Sequence, residues 1–434
     1  FSLSTGTATS PPGAPVSPGV RKGPGALRIR RSPEGLIPED TPSFRLMLVL
    51  AVLLRWRYSR ECMAEHHYDF IMAGGGAAGL SLAYNLSHSP LRDRRILIVD
   101  LDQKQNNDRT WCFWTADEPP YPEIISRNWR AFNFHGEGFE SRLELSPYAY
   151  YMIRGIDFYR HTRSALDALP NVDFLTATVD EVRDGHDRAE VRVGDTVYTA
   201  DWVFDSLFLP GEFRPDRENY HYIWQHFTGW TIRTPEPVFD ADAATLFDFR
   251  VPQHGVMRFM YILPTSATEA LVEYTLFSAD LLPDEEYVSE LQRYITGILG
   301  VHHYDIVEEE TGKIPMSDQP FPRRGGNRIM YTGTKGGRVK ASTGFAFFRT
   351  QQDSRAIVES LRTRGHPFHE NHPPARYRLF DSMLLQILYR HGELAKTVFT
   401  RLFERNPVTR ILRFLDEADG WGENLKLMAT VPWW

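Results

Sequence analysis

Apolar and polar positions change period several times along the chain, and each change marks an element. Residues 68–73 form an apolar run, glycines follow at Gly74, Gly75, Gly76 and Gly79, and residues 77–88 have helical spacing. A second apolar run, 96–100, ends on Asp100, so the unit reads strand, turn, helix, strand and opens a parallel, doubly wound sheet. Beyond it, residues 130–134 and 142–145 predict short strands and 157–169 a helix. Strand character returns at 172–174, 190–193 and 196–204, with Gly194 and Asp195 turning a hairpin. From 222 to 277 strands dominate and carry Trp224, Phe227, Trp230, Phe247, Phe249, Phe259, Tyr261, Tyr274 and Phe277, which either form a core or line a site for a long apolar molecule. A second glycine turn, Gly333, Gly336, Gly337 and Gly344, leads into a helix predicted over 342–363. Residues 376–415 are helical, apolar and interspersed with arginines, which suits either a helical cap on the protein's own core or an anionic membrane surface.

The first glycine turn carries chemistry. Gly74 permits the tight turn, Gly76 lets backbone approach a pyrophosphate, and Gly79 lets helix pack on strand, while Ala77 opens the helix. Asp100, at the end of the second strand, is placed to accept from a ribose hydroxyl. These residues predict a dinucleotide site. The second turn again offers backbone N–H groups to an anion or a flavin edge.

Composition narrows the class. The length of 434 residues allows a large core, and the two cysteines, Cys62 and Cys112, allow neither a disulfide framework nor a metal cluster, which suits a reducing, cytosolic setting. Residues 1–62 hold nine Lys or Arg against four acids, so with a net charge of −7 the remainder carries −12, which argues against nucleic-acid binding. The same 62 residues are rich in Pro, Gly, Ser and Thr and predict a disordered extension, or upstream sequence read through ahead of Met47 or Met63. Their apolar run, 46–54, is too short to span a bilayer, which needs about 20 residues. The histidines show no metal-ligand spacing; neighbours such as His302 and His303 point different ways.

Several segments together resemble the lycopene cyclases of the bacterial beta type. They are the glycine turn, Asn107 to Trp114, Leu246 to Arg250, Leu271 to Thr275, and Gly336 to Phe345. The resemblance covers the chain from about residue 68 onward. It implies an α/β fold with a Rossmann-type, glutathione-reductase-like FAD-binding domain (about 66–220 and 325–365), a β-sheet substrate domain (about 221–324) and a C-terminal helical region (about 366–434). It also implies an isomerase that closes the linear ends of lycopene into beta-ionone rings, with FAD held reduced by NAD(P)H and no net redox change. The implied partners are lycopene and related linear carotenes, other carotenoid-pathway enzymes and a membrane, which the protein meets peripherally at its cytoplasmic face.

On the resemblance, Glu273 matches the family's essential acid. Strand alternation puts Leu271, Glu273 and Thr275 on one face and Val272 and Tyr274 on the other. Where plant members place a second acid directly after this Glu, Tyr274 stands here, so a paired-carboxylate mechanism finds no adjacent partner. Asp248, Arg250 and Tyr274 are candidates for charge support near the substrate, Asp248 and Arg250 equally for a simple salt bridge. Arg109, Gly333, Gly337, Thr343 and Gly344 join the cofactor-binding candidates. The acidic run Glu308 to Glu310 either touches the site or marks a solvated face. Rival readings are an FAD-dependent monooxygenase or isoprenoid reductase of the same architecture, and a carotenoid- or flavin-binding protein without catalysis. The redox enzymes usually carry Gly-Asp at the second turn, where this chain has Gly333-Thr334.

Overall fold

A computed structural model describes residues 66–185, 187–208, 214–369 and 374–431. The expectations for residues 1–62 lie outside the described residues.

The chain opens with β1 (His67–Ala73), α1 (Ala77–Ser87) and β2 (Ile96–Asp100), the strands parallel as their apolar, doubly buried sequences require. Next come β3 (Thr110–Thr115), β4 (Arg127–Trp129), β5 (Ala131–His135), β6 (Glu140–Glu144), β7 (Ala149–Arg154) and α2 (Gly155–Asp167). The strands β8 (Val172–Thr176), β9 (Glu181–Asp184), β10 (Ala189–Val193) and β11 (Thr196–Asp205) return to the first sheet, β10 and β11 joined through the Gly194–Asp195 hairpin. After them run β12 (Tyr222–Arg233), β13 (Ala243–Asp248), β14 (Met257–Pro264), β15 (Glu269–Ser278), α3 (Asp284–Gly297) and β16 (Asp305–Ser317). The chain finishes with β17 (Ile329–Tyr331) and the helices α4 (Phe347–Arg364), α5 (Ala375–Arg390), α6 (Ala395–Arg405), α7 (Val408–Leu415) and α8 (Trp421–Met428).

Three sheets result among the described residues. The nucleotide-type sheet has the order β8-β2-β1-β11-β10-β9, with β17 added parallel to β11, so the late segment after residue 328 rejoins the sheet begun at β1. The second is β16-β12-β15-β14-β13-β5-β6, and the third is β3-β7-β4. The fold is α/β, a Rossmann-type dinucleotide-binding unit joined to a large, mostly antiparallel sheet and a C-terminal group of helices.

One face of the second sheet packs on α3 through Trp230, Val272, Tyr274, Tyr287 and Tyr294. Its other face meets the C-terminal helices through Phe134, Phe259, Phe277, Phe403 and Leu412. The aromatic strands therefore do both things the sequence allowed. Phe249, Trp230 and Tyr274 are core, whereas Phe227, Phe247, Phe259, Tyr261 and Phe277 border a cavity.

The helix expected from residue 342 begins at Phe347 instead. Gly344 has φ +74°, a left-handed conformation that interrupts a helix, and its N–H closes a turn onto the Lys340 carbonyl at 2.9 Å.

Candidate active site

A cavity of about 1280 Å³ runs from the first glycine turn, past β3 and the cavity-facing side of β12, β14 and β15, to the C-terminal helices. At one end it is a crevice between the carboxyl ends of β1 and β2, lined by Gly74, Gly76, Ala77, Asp100 and Arg109 and closed by Gly333, Thr343 and Gly344. A Cβ on Gly79 would stand 2.0 Å from the Gly74 carbonyl oxygen, so α1 can approach β1 only through glycine here. Gly76 is open, with nothing within 4 Å of an added Cβ. The N-terminus of α1 has no side-chain cap and no acidic residue in its first turn, which leaves its N–H groups to an anion. Asp100 accepts from the Gly75 N–H at 2.6 Å, fixing the turn, and still faces the cavity. Backbone at Gly76, an uncapped helix and a carboxylate at the next strand end fit a dinucleotide such as FAD. Deeper in, the buried Gln225 Oε1 lacks a hydrogen-bond partner among the described residues and stands where a Cβ on Gly344 would fall.

Gly79 packs helix on strand, as expected, from behind the cavity. One cofactor-binding expectation is corrected in position: Gly337 lies outside the cavity, turning at φ +71° against Phe321, whose Cβ would be 2.9 Å from an added Cβ.

The substrate-side expectations divide more sharply. Glu273, with Leu271 and Thr275, faces the cavity, as alternation on β15 requires. Tyr274 faces the other way and is fully buried against α3, its hydroxyl accepting from Arg258 at 3.0 Å. Asp248 and Arg250 also lie off the cavity. Asp248 is fully buried, bridged to Arg250 and accepting from the Tyr294 hydroxyl of α3 at 2.5 Å. The three residues proposed for charge support thus hold α3 on the back of the sheet. Asp248→Ala, which strands a guanidinium and a buried hydroxyl, is expected to cost about 3 kcal/mol in a denaturant midpoint while the folded protein keeps its flavin absorbance.

Around Glu273 the cavity carries a group of polar side chains. Thr275 donates to Glu273 Oε1. Tyr261, opposite Glu273 on β14, hydrogen-bonds Tyr150 of β7 at 2.5 Å, and Cys112 of β3 joins them. Burial pushes the Cys112 thiol up to about 12 and both phenols well above their usual range, so all three stay neutral near pH 7.

The residue that sequence reading underweighted is Glu310. Alternation on β16 turns Glu309 to solvent and Glu308 and Glu310 inward, so the acidic run is partly a solvated face and partly site. Glu310 lines the cavity, accepts from the Thr110 hydroxyl at 2.6 Å and hydrogen-bonds Glu273. Glu308 accepts from Asn107 at 2.9 Å. Burial first, and then the neighbouring Glu310 charge, hold the Glu273 carboxyl well above the ordinary carboxylate range. Glu310 is raised as well, mainly by burial.

A family model described as lycopene cyclase protein matches residues 69–433. The chain belongs to the lycopene cyclase family. Among curated relatives, a lycopene beta-cyclase of Pseudescherichia vulneris is 22% identical over 317 residues, 70% of this chain and 76% of that protein. One from Paracoccus sp. (strain N81106 / MBIC 01143) is 25% identical over 218 residues, 49% of this chain, and the match spans only about half, 52%, of that relative's length. Among solved structures, a geranylgeranyl bacteriochlorophyll reductase-like protein of Thermoplasma acidophilum aligns with TM-score 0.56 at 13% identity, over 84% of this chain and 96% of that one. A flavin-dependent brominase, Bmp2, aligns equally well, at TM-score 0.56 and 13% identity over 84% and 98%. At those identities the likeness establishes the fold that this cyclase family shares with them.

Proposed function

We propose that this protein is a lycopene beta-cyclase: it protonates a terminal alkene of lycopene from Glu273, lets the neighbouring alkene close a six-membered ring on the resulting tertiary cation, and removes a ring proton. The observation that carries this reading is a buried carboxyl, 6% exposed, whose burial raises its hold on a proton, set in an aromatic cavity continuous with a dinucleotide crevice. An acid that must give its proton to a hydrocarbon needs a site without competing water, and burial supplies both the dryness and the retained proton. Phe227, Phe247, Phe259, Tyr261 and Phe277 turn ring faces and edges to the same space, where positive charge can be steadied without being captured. Bound in its reduced form and kept so by NAD(P)H, FAD would add fixed negative charge beside the cation. The test is anaerobic incubation with lycopene and chemically reduced FAD. Ring-closed product at unchanged mass supports cyclisation; hydrogenated product there, or oxygenated or halogenated product in a parallel incubation with oxygen and halide, sinks it and returns the protein to the redox chemistry of its fold neighbours.

The reading also places the protein at a membrane, peripherally and on the cytoplasmic side, where so apolar a substrate resides. Support comes from the far end of the cavity, where Met383 on α5 and Leu425 on α8 both line it and are exposed. Leu379 and Trp421 extend the exposed apolar lip, and Arg376 lies over the Trp421 ring at 5.6 Å. No described helix is long and apolar enough to cross a membrane. The double variant Leu379→Glu, Trp421→Glu is expected to bind anionic vesicles about 10-fold or more weakly in flotation assays, while turnover of detergent-dispersed lycopene stays within about threefold.

A further inference from the structure

The reading above uses one carboxyl, and a second, Glu310, stands against it in the same cavity. Gly229 of β12 is the reason. It stands opposite Glu273 of β15 on one side and opposite Glu310 of β16 on the other, so the three residues form one row across the sheet, pointing to one face. The outer backbones are two strand spacings apart, roughly 10 Å, a gap two glutamate side chains can close only if nothing stands between them. A Cβ on Gly229 would stand 3.3 Å from both Cβ and Cγ of Glu273 and 3.0 Å from Leu271 Cδ1.

Donors are shared out to match. The Thr275 hydroxyl serves Glu273 Oε1 and the Thr110 hydroxyl serves Glu310 Oε2, leaving one oxygen of each carboxyl for the other. One proton between those oxygens satisfies both groups, whereas two ionised carboxylates so close in an apolar cavity repel. The remaining groups facing the pair come from four strands and the loop before β3. Cys112, Tyr150 and Tyr261 stay neutral, while Glu308 and Arg109 act on Glu310 with opposite signs.

We propose that Glu310 is the second half of a carboxyl pair that holds one proton in common with Glu273, and that this pair serves both proton transfers of ring closure. The proposal rests on the cyclisation reading. The Glu273 O–H bond breaks as a C–H bond forms from the π pair of the terminal alkene. The neighbouring alkene's π pair then makes the ring C–C bond. Finally a ring C–H bond breaks, its electrons become the ring double bond, and the proton passes to a carboxylate of the pair. One proton leaves, one returns, and no electrons are exchanged. While the cation exists both carboxylates are ionised, so the pair attracts the cation and is most basic at the moment the ring proton must leave. Deprotonation is thereby favoured over capture by water.

The test is Glu310→Gln in the full-length, flavin-loaded protein, compared with Glu273→Gln. The expected loss is about 10²-fold in kcat with KM within about threefold, because an acid–base partner and not a binding contact is removed. The alkaline limb of the kcat profile is expected to move to lower pH, since the negative charge that helps keep the proton on Glu273 is gone. In the resting holoenzyme, without lycopene, the infrared C=O stretch of a protonated carboxylic acid should change frequency in Glu310→Gln and vanish in Glu273→Gln. An unmoved band and an unmoved alkaline limb would overturn the proposal even if turnover fell, because a merely structural role predicts that combination. The infrared readout needs no substrate, so ring closure with an unmoved band rejects the pair and keeps the function, while a shifted band in a protein that never closes a ring rejects the function.

Discussion

Glu273→Gln is expected to abolish ring closure, by a factor of about 10²–10⁴ in turnover per bound flavin, while leaving the protein folded and flavin-loaded. The side chain is 6% exposed on β15, and its backbone neighbours on β12 and β14 are set by long, regular ladders that a Glu-to-Gln change does not disturb. Gln keeps the shape and can still accept from Thr275, but it has no proton to give an alkene. The glycine turns and the Asp100 contact to Gly75, which form the crevice, lie on other elements, so cofactor absorbance should be retained. Turnover near the wild-type value would remove Glu273 from the acid role, and the whole proton-initiated scheme would need another donor.

Gly79→Ala is the second large effect, and it acts through the fold. An added methyl at this position meets the Gly74 carbonyl oxygen at 2.0 Å and the Gly74 carbonyl carbon at 3.1 Å, atoms of backbone that cannot swing aside as a side chain could. Either α1 lifts off β1 or the turn at Gly74, itself at φ +108°, is pushed out of shape. Overpacking of this kind typically costs about 1–3 kcal/mol. Here it also moves the helix N-terminus that would meet the cofactor's phosphates, so flavin content of the purified protein should fall at least about 10-fold, with a lower melting temperature. Full flavin content and an unchanged melting temperature would show that the crevice tolerates a wider turn than the geometry allows.

The parts that could be read from sequence are those governed by neighbours in the chain. The strand-turn-helix-strand unit, the Asp100 position and the Gly194–Asp195 hairpin depend on local glycine chemistry and apolar period, and they stand where the patterns put them. Alternation also said correctly that Leu271, Glu273 and Thr275 share a face opposite Tyr274. It could not say which face of a given strand looks into the cavity, so Asp248 and Arg250, attractive because charged among aromatics, turned out to anchor α3. Glu310 was harder still. Its partner lies on a strand 37 residues earlier and two ladders away, and only the register of β12 with both neighbours brings them together. A signal was nonetheless present: a glycine inside the apolar, aromatic strand Tyr222–Arg233 weakens a strand unless something needs the space, and at Gly229 the Glu273 and Leu271 side chains take it. Gly344 belongs to the glycine turn, as the sequence predicts, but the helix expected from residue 342 starts only at Phe347, because the left-handed backbone at Gly344 holds the residues before it in that turn.

The most direct measurement of the central claim is the isotopic content of the product formed in deuterated water, with reduced FAD and without oxygen. If a carboxyl equilibrated with deuterated water starts the reaction, the first ring each enzyme closes carries one solvent-derived deuterium at the carbon protonated first, and apart from ring closure the product's composition differs from that of lycopene in no other way. First-turnover, ring-closed product free of deuterium, or product whose oxidation level has changed, would contradict protonation by the buried carboxyl site and with it the account of this cavity.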